Sequence, residues 1–499
     1  AAIRNSGDII FAEGQSLLPA SVTFNKRILL SSTGAGSGNF YIGKNNSGSS
    51  VSITSTGQLY GVDIYGNTPI FLYNITQAGS LLQTLSSIDA INGKVICGDI
   101  NGPCTWNGPT KFTAIILDLA YSTFNGSNND FSLINSISAQ SCTGGNTFAA
   151  GTQSAFSNFG TAEWRLSTIA SDDYNGNVQY RVNSTGAIFP AYNTNCTYAG
   201  SITVLPGSDT IFFAAGGNGR VTLDGNTSGN FINNSTKPVL MYKLTSNKTA
   251  GTFGLYSNLF IPAGGNIVLA SGRIVTGATG LLVLQDETCT ITSNTAASTS
   301  YIDGPMRIDI STTSPVTLHF PIGKDLESRP VDLSIQHTSN TSYSYTAEMV
   351  RSSANALGYT NTATVTNVSA YRWWDITRTL TSSGAAAPIT ALVTSPLPVV
   401  SLYYGLIDVA PNPADVTICK NTYTALTNWI DIGATGATNT IGKVTSTSLP
   451  SAFNSFSRFT LGYFSTPQPP AGRDSFVCGT GSAALTATPV HGAVIDWYA

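Results

Sequence analysis

Ionisable side chains are the scarcest component of this chain. Asp, Glu, Lys and Arg make up 10% of its 499 residues, against roughly 25% in an ordinary soluble domain. The net charge is −3 and no basic block occurs, so the electrostatic footprint of a nucleic-acid-binding protein is missing. Three His and three Met leave few catalytic bases and metal ligands of the usual kinds. Amphipathic helices are missing as well, because no long segment repeats its apolar residues at helical spacing. One uncharged stretch, Thr379–Ile407, is long enough to raise the question of a membrane helix, which needs roughly 20 mostly apolar residues. Pro388, Pro396 and Pro398 interrupt it, and proline breaks a helix ladder. Strands and turns are expected there, and no membrane-spanning segment. The opening residues AAIRNSGDII lack a charged region followed by an apolar one, so a secretory signal is absent or was removed before Ala1.

Hydrophobic residues, at 41%, suffice for a sizeable core, and 39 Asn, 49 Gly and 120 Ser or Thr accompany them. Hydroxyls and amides must therefore solvate the surface in place of ions. Disorder pairs low hydrophobicity with high net charge, and this chain has neither. Scarce Lys and Glu with so much Ser, Thr and Asn favours an extracellular protein. Asn-x-Ser/Thr sequons are no more frequent than this composition gives by chance, so they carry no evidence of glycosylation.

The seven cysteines lie at 97, 104, 142, 196, 289, 419 and 478. An odd number leaves at least one without a partner in the chain. Gly98, Gly102 and Pro103 allow a tight turn between Cys97 and Cys104, which are expected to form a structural disulfide worth roughly 2–3 kcal/mol. The pairing of Cys142, Cys196, Cys289 and Cys419 stays open. No CxxC pair supports a zinc knuckle.

Short apolar runs bounded by Gly, Asn, Ser or Pro, such as IFLYNI, TIFFAA, RVTL and LLVL, read as strands. The fold class is all-β. Within 200–300 the strands recur every eight to ten residues, which suits a β-solenoid. Residues 1–199 read as a looser β-region, either the first coils of that solenoid or a separate domain. Over 301–464 longer, alternating strands predict a β-sandwich. Residues 465–472 form a Pro-rich linker, and 473–499 are too few for a core of their own.

No assembled catalytic set is found. Asp172/Asp173 and Asp286/Glu287 are adjacent, and neighbours on a strand point to opposite faces. Asp325 and Glu327 sit in a turn where solvation is the simpler role. His319 reads as a strand residue, and His337 and His491 are isolated. GGNGR at 216–220 has no following helix to cradle a phosphate. No cofactor is expected. Asp173–Asn177 offers oxygen ligands for Ca2+, but its Gly is misplaced for a calcium loop and an Asn-Gly hairpin turn explains it more simply. Trp373 and Trp374 are consecutive, so one enters the core and the other, read as Trp374, faces outward onto a neighbouring domain or a sugar.

Three motifs carry a resemblance. SGRIVTGATGLLVL is followed by YIDGPMRIDI and HFPIGKDLESRPVDL. Tyr371-Arg372-Trp373-Trp374-Asp375-Ile376 comes next, and Phe456-Ser457-Arg458-Phe459-Thr460-Leu461-Gly462 closes the series. In this order they resemble secreted, multi-domain surface proteins of Bacteroidota, with Phe320, Pro321, Gly323, Arg329, Pro330 and Val331 matching and Ser328 standing where the family has Tyr. Cys478-Gly479 with Val494–Tyr498 is similar to the start of the Ig-like modules of the same proteins. The resemblance implies a partner for Cys478 beyond Ala499, a continuing natural chain and export by type IX secretion. Ala410-Pro411-Asn412-Pro413 only partly matches the motif that opens a sorting domain and reads as a turn.

The expectation is a non-enzymatic extracellular or cell-surface protein, an adhesin or the subunit of a fibre or coat. The alternative is a carbohydrate-active or carbohydrate-binding module. Expected partners are a cell-surface glycan or a second copy joined head-to-tail, with Ile9, Ile10 and Phe11 offering an edge strand for self-association.

Overall fold

In the computed structural model, residues 85–464 are described except 208, 294–298, 363–364, 388–390, 394–397, 409–412, 422–427, 439 and 448–455; before residue 85 the description covers 2–4, 9–11, 21–23, 28–31, 40–42, 51–54, 60–66, 70–73 and 75–77. The chain divides into two compact units, Ala1–Asn294 with Thr299–Asp303, and Thr295–Ser298 with Gly304–Ala499. Among the described residues no helix is long and apolar enough to cross a membrane. The Ig-like segment 473–499 and the linker lie outside the described residues.

The first unit is a parallel β-solenoid of about ten turns. Its ladder is continuous from Ala2–Arg4 to Tyr301–Asp303, so residues before 200 are coils of the same solenoid. Over most of its length one coil takes about 24 residues, the separation of many inter-coil hydrogen bonds. Because each coil stacks in register on the last, a side chain meets its counterpart one coil away, at the roughly 4.8 Å spacing of hydrogen-bonded strands. The interior is built on that repetition. Phe124, Phe148, Tyr174 and Tyr198 stack face to face, with centroids 5.1, 4.8 and 4.7 Å apart. Phe112, Phe131, Phe156 and Tyr180 form a second column beside them.

The outer surface repeats too. The register runs Thr76, Thr105, Thr123, Thr147, Asp173, Thr197, Thr222, Thr245, Val268, Thr292. Eight of these ten positions carry a hydroxyl. Those from Thr105 to Val268 alternate with buried neighbours and stay half-buried, so a hydroxyl ladder follows the stacked coils.

The second unit consists of antiparallel sheets. The larger runs in the order Met306–Ile310, Tyr343–Val350, Trp373–Leu380, Arg458–Tyr463, Val416–Asn421, Asn428–Asp431, Thr360–Asn361, and only the last pair is parallel. The smaller has four strands, Val316–Phe320, Val331–Ile335, Val399–Tyr404 and Gly442–Thr445. Alternation buries Tyr345, Ala347, Met349, Trp374 and Ile376 from one sheet and Leu318, Phe320, Leu333, Val400 and Leu402 from the other. The sheets are tied by Tyr345 and His337, whose Oη and Nε2 lie 2.8 Å apart, and by the Trp374 indole N–H, which donates to Arg329 O at 3.1 Å.

The three motifs of the sequence meet here around a buried ion network. Arg372 donates through Nε to Asp408 at 2.8 Å and through Nη1 to Glu327 at 2.5 Å. Arg329 reaches the other Asp408 oxygen at 3.4 Å. Thr460 donates to Arg372 O, and the Tyr463 hydroxyl to Asp408 O. Glu327 is thus an anchor of the turn preceding Pro330. Pro413–Asp415 forms a single 3-10 turn, and 410–412 lie outside the described residues.

Candidate functional site

Several expected site residues have other roles. The Cys97–Cys104 bridge is not formed: both are free, buried thiols. The tight turn between them exists, with Gly102 N–H donating to Asp99 O, but each sulfur has its own partner. Cys97 Sγ accepts the Trp106 indole N–H at 3.3 Å, and the Cys104 thiol donates to Leu72 O at 3.3 Å. Burial, with the neighbouring Cys97 adding to it, pushes the Cys104 thiol well above its ordinary pKa, and only a thiolate exchanges into a disulfide. Cys478 and His491 lie outside the described residues. The strand Ile9–Phe11 pairs in parallel with Phe40–Ile42 of its own chain, which occupies one of its two edges.

Asp172 and Asp173 point to opposite sides of the coil. Asp172 is buried and accepts from the Asn146 backbone and side chain, both at 2.9 Å, and from the hydroxyls of Ser167 and Tyr174. Asp173 belongs to the outer ladder and accepts from Thr197 Oγ1 and Asn175 Nδ2. The Asn-Gly step after it is a solenoid corner and not a hairpin, because Asp173–Tyr174 and Asn177–Val182 pair with neighbouring coils. Among the described residues no three His, Cys, Asp or Glu lie close enough together to hold a metal ion. His319 Nδ1 lies 2.6 Å from Asp332, which also accepts from Tyr403 and Lys443. Burial, with the Arg378 charge nearby, lowers His337 to about 4, and it stays a neutral core residue. Glu327 is taken by Arg372, and exposed Asp325 pairs with Arg351 at 3.3 Å.

The assignment of the outward tryptophan is reversed. Trp374 is fully buried, and Trp373 is half-buried on the outer face. The parity of the strand decides this, since Trp374, Ile376 and Arg378 share the inward side.

The outer face of the larger sheet holds the richest chemistry in the second unit. Glu348 pairs with Asp375, Asp375 with Arg458, Asn421 with Trp429 and Trp429 with Asn361. Lys420 pairs with Phe459, so the same register brings Asn421 beside Arg458. These six side chains make one row across six strands. Cross-strand neighbours of this kind have Cβ atoms about 4.5–5.5 Å apart. Arg458 lies over the Trp373 ring at 4.9 Å and the Tyr359 ring at 5.9 Å, and it donates to the Tyr359 hydroxyl. Tyr359 meets Trp429 edge-on at 5.3 Å. Ala354, Val365, Val368, Cys419 and Trp429 form an apolar cluster that buries this end of the row, with Tyr359 and Trp373 packed against it.

Partial burial raises both carboxyls. Burial lifts Glu348, Lys324 opposes it and Asp375 adds to it; burial lifts Asp375 and Arg458 opposes it. The row thus combines two acids, a cation fixed against aromatic rings, two amides and an indole N–H. Glu348 and Asn421 were not singled out from the sequence, and Asp375 and Arg458 stood there only as members of the resemblance motifs. Only their positions within alternating strands were visible there. No protein-family model, curated protein or solved structure matches the chain.

Proposed function

We propose that the protein is a non-enzymatic structural or adhesive component of an extracellular surface. The hydroxyl ladder from Thr76 to Thr292 carries this reading. It is a repetitive surface, nearly free of charge, on a continuous hydrogen-bonded scaffold, and such a scaffold presents many equivalent contacts to a large partner. Export to the cell surface agrees with the scarcity of ions, and a fibre or coat would extend the same repetition through contacts between copies.

The test is adhesion without turnover. Beads coated with the full chain should adhere to glycan-coated surfaces, and the same protein should release no reducing sugar from the polysaccharides it adheres to. Release of sugar would overturn the non-enzymatic reading in favour of a carbohydrate-active module. The adjacent carboxyls of Glu348 and Asp375 favour that alternative, since glycoside hydrolysis needs two carboxyls across a sugar.

A further inference from the structure

Four buried polar atoms at one end of the outer-face row have no partner: Nδ2 and Oδ1 of Asn421, the indole Nε1 of Trp429 and Oδ1 of Asn361. Asn421 and Trp429 are 0% exposed. A buried polar group left unpaired costs about 1–3 kcal/mol, and native proteins nearly always supply a partner. Four such atoms on three neighbouring strands therefore mark a place where polar groups from outside the chain belong.

The chemistry of the row specifies those groups. Asn421 presents two N–H donors and one acceptor, Trp429 one donor and Asn361 one acceptor. A ligand matching this mixed set must donate and accept at closely spaced points, as the hydroxyls of a sugar do. Beyond Asn421, the half-buried Arg458, Asp375 and Glu348 continue the row with forked side chains that pair with adjacent hydroxyls. The half-buried Trp373, with Arg458 over its ring, adds apolar ring surface against which the C–H face of a pyranose packs. Two carboxyls against one arginine disfavour an anionic ligand.

We propose that the row Glu348–Asp375–Arg458–Asn421–Trp429–Asn361, with Trp373 and Tyr359, is a binding site for a neutral saccharide chain. Trp373, Asp375 and Glu348 form its accessible end. At its buried end the unpaired atoms of Asn421, Trp429 and Asn361 complete the polar set. This deepens the adhesive reading and rests on it, by naming the partner as a glycan and the site as the second unit.

The experiment titrates the full chain with cellohexaose, chitohexaose, mannohexaose, xylohexaose and laminarihexaose, followed by calorimetry and tryptophan fluorescence. One of them should bind, and Trp373→Ala and Asp375→Asn should each weaken binding at least about tenfold, or 1.4 kcal/mol. Ile169→Ser, on the solenoid surface, should leave it unchanged. Asn421→Leu is the deciding variant: it removes two unpaired atoms, so the fold should melt no lower than wild type while affinity falls about tenfold or more. No binding at millimolar concentration overturns the proposal. So does binding that Trp373→Ala and Asp375→Asn leave intact, or an Asn421→Leu variant with unchanged affinity, which would mean that a buried water alone fills the gap. If wild-type beads adhere to glycans and Trp373→Ala beads adhere equally well, the adhesive reading stands and this site falls. If wild-type beads do not adhere at all, the adhesive reading itself falls.

Discussion

Arg372 and Asp408 face each other at 2.8 Å, and neither side chain is exposed to solvent. Through Glu327, Arg329 and Thr460 the network around this pair joins segments of three separate motifs. Removing one partner of a buried pair leaves a bare charge and costs about 3–5 kcal/mol. Arg372→Met should lower the denaturant midpoint of the second unit by a corresponding amount, with Asp408→Asn close behind. The double variant Arg372→Met/Asp408→Leu should recover much of the loss. Equal stability of Arg372→Met and wild type in a urea titration would refute this role.

Asp172 is the matching case inside the solenoid. Burial raises its pKa, and the donors from Ser167, Asn146 and Tyr174 only partly offset the shift. The folded state therefore holds the proton more tightly than the unfolded chain does. Its contribution is present at low pH and is lost as pH rises through the ordinary carboxylate range and beyond. Asp172→Asn keeps the shape and removes the ionisation. It should raise the melting temperature at pH 7, and the gap to wild type should narrow at pH 4, both read by calorimetry.

Lys420 is buried among the strands of the larger sheet and donates to Asn421 O at 3.0 Å. Burial lowers its pKa to about 8. The folded state releases this proton more readily than the unfolded chain, so stability should rise with pH between about 8 and the ordinary lysine value near 10.4. Lys420→Met should stabilise the protein at pH 7 by about 3 kcal/mol, at 1.36 kcal/mol per pKa unit. Its advantage over wild type should shrink at pH 10. A constant difference across that range in urea titrations would count against the assignment.

Phe148 stacks between Phe124 and Tyr174 in the solenoid core. Phe148→Ala leaves a cavity that the rigid coils cannot close, at a cost of about 3–5 kcal/mol. Because each coil contacts only its neighbours, hydrogen exchange should rise first in the coils of Phe124 and Tyr174 and least near Leu282–Leu284. Uniform acceleration across the solenoid would contradict nearest-neighbour coupling.

Self-association has a direct reading. If Ile9–Phe11 joins copies head-to-tail, sedimentation of the full chain at micromolar concentration should show species larger than a monomer, and Ile10→Asp should remove them. A wild-type monomer at that concentration would end this route to a fibre.

Strand content, the solenoid and the second β unit were legible in the sequence, because each rests on local pattern. Gly and Asn at coil corners, and apolar residues alternating within RVTL or VTLHF, impose strands whatever surrounds them. The short spacing of those strands already fitted stacked coils. The choice between Trp373 and Trp374 was not legible, because alternation fixes that two neighbours diverge but not which side faces the core. Nor was the fate of Cys97 and Cys104, whose sulfurs are claimed by Trp106 and by Leu72 of another coil. The row from Glu348 to Asn361 was hidden for the same reason. Its members are scattered between residues 348 and 458, and only the order of strands in the sheet, with the register of each pairing, sets them side by side. Local sequence determines what each segment becomes; burial and register, properties of the whole fold, decide which side chains meet.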